Sequence, residues 1–250
     1  MSKVYEALQR ARAERDIMSH VGRNPAIEIR KPEIVDTSGL PPLRMEREMS
    51  RLHQSVLALL PNSKSRVIQF IGSRKNEGTS TILREFGQFL GEKANKFVLL
   101  VDGDLHHRSQ HKAFKHPSGI SLQDVVSEGG SLDQAIFQVR NSRLFLCRLS
   151  GGTTATARPV FSVNDAMLWT RLRNEFEFIL IDSQPISDSD DALALCSSAD
   201  GVILVVEAEK TRSQVASTMK NRVIQYGGNI LGLVFNKQRY YIPESIYKWL

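Results

Sequence analysis

Residues 72–81 read Gly-Ser-Arg-Lys-Asn-Glu-Gly-Thr-Ser-Thr and follow the apolar run Val67-Ile68-Gln69-Phe70-Ile71. A strand, a turn carrying glycine and hydroxyls, and a helical pattern from Ile82 to Leu90 form the setting of a phosphate-binding loop. Such a loop aims backbone N–H groups and a helix N-terminus at phosphate. Gly78, Thr79, Ser80 and Thr81 are its candidate nucleotide-binding residues, and Ser80 stands where a hydroxyl reaches Mg²⁺. The usual ending is Gly-Lys-Ser/Thr, but here Thr79 takes the lysine's place. The ammonium that holds the β- and γ-phosphates and follows charge into the transition state is therefore gone. An ordinary strand-to-helix turn capped by Thr79 would use the same residues, so the loop alone does not decide.

Two carboxylate elements follow. Val98-Leu99-Leu100-Val101 runs into Asp102-Gly103-Asp104, placing two aspartates two residues apart at a strand end. Such a pair can hold a hydrated Mg²⁺, or one member can accept a proton from an incoming hydroxyl. Asp102 and Asp104 are thus candidate catalytic residues. Phe178-Ile179-Leu180-Ile181 ends in Asp182, the position of a carboxylate that reaches Mg²⁺ through water. The candidate metal set is Ser80, Asp102 and Asp182. Capping or turn aspartates are the plain alternative for each element, but the three in this order point together to nucleotide chemistry. Asn236 closes a last apolar run and offers donor and acceptor to a purine edge, or simply makes a turn. His107 and His111 have metal-pair spacing, yet they sit among Arg108, Lys112 and Lys115, which disfavours a cation.

The elements that must position these groups alternate from Val67 onward. Strands are predicted at 67–71, 97–101, 144–148, 178–182, 202–206 and 231–235. Helices are predicted at about 79–92, 121–127, 164–175, 189–197 and 212–226. Continuous apolar strands between helical patterns mean an α/β fold with a mainly parallel sheet flanked by helices. Ligands of such sheets bind beyond the carboxyl ends of the strands. Ahead of this domain, at 66–238, the chain divides into an N-terminal docking helix at 1–19, a Pro/Gly-bearing linker at 20–43 and a further helix at 44–65. This is an N-terminal helical extension to the fold. A tail at 239–250 carries Tyr240, Tyr241 and Tyr247, which are candidate phosphoacceptors or packing aromatics.

The chain has 250 residues, and 41% are hydrophobic, enough for a sizeable core. Its apolar runs are strand-sized and fall well short of the ~20 residues of a membrane helix. No secretory pattern follows Met1, so a cytoplasmic chain is expected. The net charge is +6, all of it in residues 1–75, where 14 Lys/Arg face 8 Asp/Glu; the remainder holds 19 of each. Scattered basic residues with few interleaved aromatics argue against nucleic acid. Cys147 and Cys196 lie in apolar runs and read as buried, reduced thiols.

In their order these motifs resemble the bacterial tyrosine kinases of capsule and exopolysaccharide synthesis, in the stand-alone cytoplasmic form. That family belongs with the MinD/ParA-like P-loop proteins. Glu77, Gly78, Ser80 and Thr81 match its Ser-Ser-x-Pro-Gly-Glu-Gly-Lys-Ser-Thr loop. Asp102 and Asp104 match its Asp-x-Asp element, with His106 where a basic residue is usual. Asp182 and Pro185 match Asp-Thr-Pro-Pro. Glu48 and Arg51 look like the start of a Glu-x-x-Arg-x-x-Arg oligomer-interface helix, whose last arginine is Gln54 here.

The resemblance implies bound ATP or ADP with Mg²⁺, and a homo-oligomeric ring whose subunits phosphorylate neighbours' tails. It also implies a membrane-spanning chain-length regulator as partner, which recruits the chain to the inner face of the plasma membrane. Two departures bear on activity. Replacing the lysine by Thr79 removes a charge-assisted contact worth ~1.5–3 kcal/mol in phosphate binding, and costs more in rate. Asn76 stands where the family has glycine and is expected to resist the backbone conformation that glycine takes freely. Lys75, within the loop, is the best candidate substitute cation, ahead of Arg74 and Arg108. Three readings follow: a degenerate kinase acting as regulatory or scaffold subunit, an active autokinase rescued by Lys75, and a MinD/ParA-like positioning ATPase. The tyrosine tail and the lead helices argue against the third.

Overall fold

Runs of aliphatic and aromatic residues become strands here because both faces of the sheet are covered. A computed structural model describes residues 33–35, 42–104, 109–114, 120–128, 130–140, 142–150 and 163–238, all within a unit spanning Pro32–Leu250. The expected docking helix, the tail with Tyr240, Tyr241 and Tyr247, and His106, His107 and Arg108 lie outside the described residues.

Among the described residues eight strands form one sheet: β1 (Glu33–Val35), β2 (Arg66–Gly72), β3 (Val98–Asp102), β4 (Ile136–Val139), β5 (Leu144–Arg148), β6 (Phe178–Asp182), β7 (Gly201–Glu207) and β8 (Ile230–Asn236). Their order is β1-β4-β5-β3-β6-β2-β7-β8. Every pairing is parallel except β4 with β5. The described helices are α1 (Glu46–Leu59), α2 (Thr79–Gln88), α3 (Ser109–Ala113), α4 (Leu122–Glu128), α5 (Val163–Glu175), α6 (Asp191–Ala194) and α7 (Ser213–Gln225). A π-helical turn, Phe89–Lys93, prolongs α2.

The chain moves from β2 to β3 in one direction across the sheet and from β7 to β8 in the other. Right-handed crossovers therefore put α2 and α7 on opposite faces. On the α2 face, Ile68, Phe70, Leu100 and Leu180 pack with Leu83 and Phe86 of α2 and with Met49 and Val56 of α1. On the other face, Ile71, Leu204 and Val206 pack with Met219 and Val223 of α7.

The pattern differs from the sequence expectation at several points, the unforeseen short helix α3 among them. Glu33–Val35, inside the stretch read as linker, pairs with β4 as an edge strand. β4 itself is too short to stand out, and it is held by antiparallel pairing with β5. The helix expected at 189–197 is instead a short α6 followed by a 3₁₀ turn at Cys196–Ser198. Cys147 and Cys196 are both free and buried, as expected. Among the described residues no helix is long and apolar enough to cross a membrane.

Candidate nucleotide site

Adjacent parallel strands bring their carboxyl ends to one edge, and there the three motifs meet. β2 lies beside β6 and β6 beside β3, with Phe70 opposite Asp182 and Asp182 opposite Asp102. The loop after β2 thus stands next to both carboxylate elements.

That loop is braced from within. Glu77 is buried, and its carboxylate accepts the Ser73 N–H at 2.6 Å, the Ser73 hydroxyl at 2.7 Å and the Arg74 N–H at 2.9 Å. The Thr211 hydroxyl, just beyond β7, donates to the same carboxylate at 2.6 Å. Asn236, at the end of β8, donates its amide to the Glu77 carbonyl at 2.8 Å, and the next residue, Lys237, donates its ammonium to the Asn76 carbonyl. The amide donor expected to read a purine edge is therefore used on the loop. Gly78 caps α2 at φ +92°, where a Cβ would come within 2.0 Å of Asn236 Nδ2. No other residue type fits there without displacing Asn236. Thr79 and Ser80 then open α2, and their N–H groups have no acceptor within the helix.

The departures from the family loop can now be placed. Asn76 adopts φ 65°. The expected resistance is not seen, because asparagine is among the residues that enter the left-handed region most readily. The Thr79 hydroxyl lies at the base of the loop, 2.6 Å from where a Cβ on Gly72 would sit. Lys75 pairs with Asp188 at 3.1 Å, beyond β6. Arg74 lines a cleft of about 310 Å³ between the loop, Ile186 and the Gln214–Arg222 stretch of α7.

The carboxylates are held by residues that sequence reasoning missed. Asp102 Oδ2 accepts the N–H of Gln110 at 3.1 Å and of His111 at 3.3 Å, and it faces His111 Nδ1 at 3.2 Å. Its Oδ1 accepts the Asp104 N–H at 3.3 Å. Gln110 has no exposed surface. Its side-chain amide donates to Asp182 Oδ2 at 2.7 Å and to the Ser80 carbonyl at 2.9 Å, while its oxygen accepts Arg84 Nε at 3.2 Å. Gly103 is required by close approach of β3 and β6, since a Cβ there would meet the Asp182 carbonyl at 2.8 Å. No motif spacing marks Gln110 or Arg84, and His111 is marked only by its spacing from His107. Gln110 and His111 reach the site because the short helix α3 folds back over the strand ends, where Gln110 meets Arg84 of α2.

Burial, then the charge of Asp102, raises the Asp182 carboxyl to about 7, with the Gln110 amide and the neighbouring Ser80 hydroxyl opposing. Burial also lowers the Arg84 guanidinium from its usual range, against the attraction of Asp182, Glu85 and Asp102. Asp182 Oδ1 is buried with no hydrogen-bond partner among the described residues. A hydrated cation would supply the donors that this oxygen calls for. Asp102 is already surrounded by N–H donors, which suits an outer, water-mediated role. Among the described residues no cluster of three His, Cys, Asp or Glu is set to hold a metal by itself. Magnesium therefore fits as it does in P-loop proteins, with Ser80, water and the nucleotide completing the shell. His111 Nδ1 is turned to Asp102, while His107 lies outside the described residues. Glu48 and Arg51 are exposed on α1, while Met49, His53 and Val56 of that helix face the core.

No protein-family model matches the chain. Individual relatives do. A putative tyrosine-protein kinase, CapB of Staphylococcus aureus, is 26% identical over 167 residues, covering 67% of this chain and 73% of the relative. The tyrosine-protein kinase CpsD of Streptococcus agalactiae is 24% identical over 220 residues, covering 86% and 91%. The succinoglycan biosynthesis transport protein ExoP of Rhizobium meliloti is 24% identical over 182 residues, 72% of this chain but 23% of that protein. Among solved structures, the chimerical protein CapA2B2 superposes with a TM-score of 0.69 at 22% identity, over 78% of this chain and 85% of that one. The cell division ATPase MinD of Pyrococcus furiosus superposes with a TM-score of 0.58 at 22% identity, over 74% and 79%. The chain is thus similar to the bacterial tyrosine-protein kinases CapB and CpsD, and its fold is that of a MinD-like P-loop protein.

Proposed function

We propose that this chain is a kinase-like nucleotide-binding protein of capsule or exopolysaccharide biosynthesis, a degenerate tyrosine autokinase acting as a regulatory or scaffold subunit beside a membrane-spanning chain-length regulator. The observation that carries this reading is the loop base, where the Thr79 hydroxyl lies against Gly72. The two lysines near the loop are engaged elsewhere: Lys75 with Asp188, and Lys237 with Glu207 and the Asn76 carbonyl. Backbone N–H groups and the helix start would hold a diphosphate, with Mg²⁺ reached from Ser80 and Asp182. The name of ExoP, a succinoglycan biosynthesis transport protein, supports the polysaccharide setting. Exposed Glu48 and Arg51 suit a subunit contact in a homo-oligomer.

The alternative is an active ATP-dependent autokinase. It is favoured by Asp102 and Asp182, which are buried side by side at the strand ends. In this reading Asp102 or Asp104 accepts the tyrosine proton, Tyr240, Tyr241 or Tyr247 receives phosphate, and Lys75 leaves Asp188 to meet the nucleotide. The two separate in one assay. Purified protein is incubated with Mg-ATP and probed for phosphotyrosine beside Thr79→Lys and Lys75→Ala. The scaffold reading expects silence in the native chain and signal in Thr79→Lys. Native phosphorylation that vanishes in Lys75→Ala would establish the alternative.

A further inference from the structure

Gln110 is fully buried, like Asp182 beside it, and both ends of its amide are used. One –NH₂ group bridges the Ser80 carbonyl, at the start of α2, and Asp182 Oδ2, at the end of β6. These two residues are the ones that would flank a nucleotide-bound cation. Fixing Oδ2 leaves Oδ1 as the buried, unpartnered oxygen. At the other end of the amide, Arg84 donates to Oε1 at 3.2 Å. A cation on the carbonyl end withdraws electron density and strengthens the –NH₂ donors, as hydrogen bonds in a chain polarise one another. Arg84 also brings positive charge to the wall beside Asp102 and Asp182, in a site whose loop has lost its ammonium. A buried amide in a fully used network is costly to disturb.

We infer that Gln110, polarised by Arg84, is a positioning residue that yokes Asp182 to Ser80 and presents Asp182 Oδ1 to a magnesium-bound water. This inference rests on the nucleotide reading above. It differs from ordinary core packing in one respect: loss of the donor should weaken the magnesium response itself. The outer partners of metal ligands set affinity by orienting the ligand.

The test uses the full chain and a fluorescent ADP (the N-methylanthraniloyl derivative), titrated with and without Mg²⁺ at fixed pH. The quantity read is the gain in ADP affinity on adding Mg²⁺. In Gln110→Met, of similar length but with no donor, that gain falls roughly tenfold. Gln110→Glu, which keeps the acceptor for Arg84 but sets a carboxylate against Asp182, loses at least as much. Arg84→Met moves in the same direction by less, and the double variant Arg84→Met/Gln110→Met matches Gln110→Met alone, because both act through one chain of hydrogen bonds. An unchanged magnesium gain in folded Gln110→Met overturns the inference, as does additivity of the two substitutions. If Gln110→Met does not fold, an unchanged gain in the part-exposed Arg84→Met overturns it instead. A native chain that binds no ADP in Mg²⁺ fails the nucleotide reading itself, a result distinct from any variant's behaviour.

Discussion

Two residues of the loop share positive φ for different reasons. Asn76, at 65°, enters the left-handed region by its own tolerance, while Gly78, at 92°, is forced by Asn236 against its Cα. Asn76→Gly is therefore expected to change stability little, whereas Asn76→Ala costs about 1–2 kcal/mol, because alanine meets the full left-handed penalty. Gly78→Ala suffers both the backbone cost and the contact with Asn236. Adding Asn236→Ala should relieve only the second part. Urea unfolding of these four variants checks the ordering, and equal losses for Asn76→Ala and Asn76→Gly would contradict it. Glycine, hydroxyl and aspartate positions were legible because spacing alone carries them. Gln110 and Arg84 were not, and His111 stood out only for its spacing from His107, since what brings the three to the site is contact made at long range after folding. Gly103 shows the same limit: the sequence places it between two aspartates, but only the approach of β3 to β6 reveals what excludes a side chain there.

Helix α1 shows how an element's inner face sets pH sensitivity. His53 is buried, packing edge-on against Phe89 and Phe178 with ring centroids 6.1 and 5.6 Å apart. Its Nε2 has no hydrogen-bond partner among the described residues. Burial first, then Lys96 and Arg66, lower its pKa from the ordinary imidazole value. The unfolded chain therefore takes up the proton first, and stability present above pH ~6.5 is lost as pH falls through the lower folded value. His53→Leu should flatten this acid limb with little change at pH 8, read as denaturation midpoints between pH 5 and 8. A native chain equally stable at both ends would contradict the account. Period-matched apolar residues made α1 readable from the sequence, as they did most strands. β1 and β4 escaped for a physical reason: three or four residues carry too little pattern, and pairing with neighbours, not propensity, makes them strands.

Across the whole molecule, stability and site lie at opposite ends of the sheet. Asp200, before β7, accepts the Val67 N–H at 2.7 Å and both Arg173 Nη1 and Nη2, at 2.6 and 2.9 Å. It ties the start of β2 to α5 at the amino ends of the strands, while the loop and carboxylates crown the carboxyl ends. Because this pair is part-exposed, Asp200→Ala is expected to cost about 1.5–3 kcal/mol at most. The same substitution should leave ADP affinity unmoved, and a large loss of affinity in a folded Asp200→Ala protein would show that the two ends are coupled.

In the proposed reading a nucleoside diphosphate rests on backbone N–H groups and a helix start, with Thr79 where an ammonium should be. Calorimetric titration of the native chain and of Thr79→Lys with Mg-ADP tests it most directly. The account predicts saturable binding by the native chain, tightened roughly 10- to 150-fold by restoring the lysine. No heat of binding from either protein, or equal affinity in both, would contradict it.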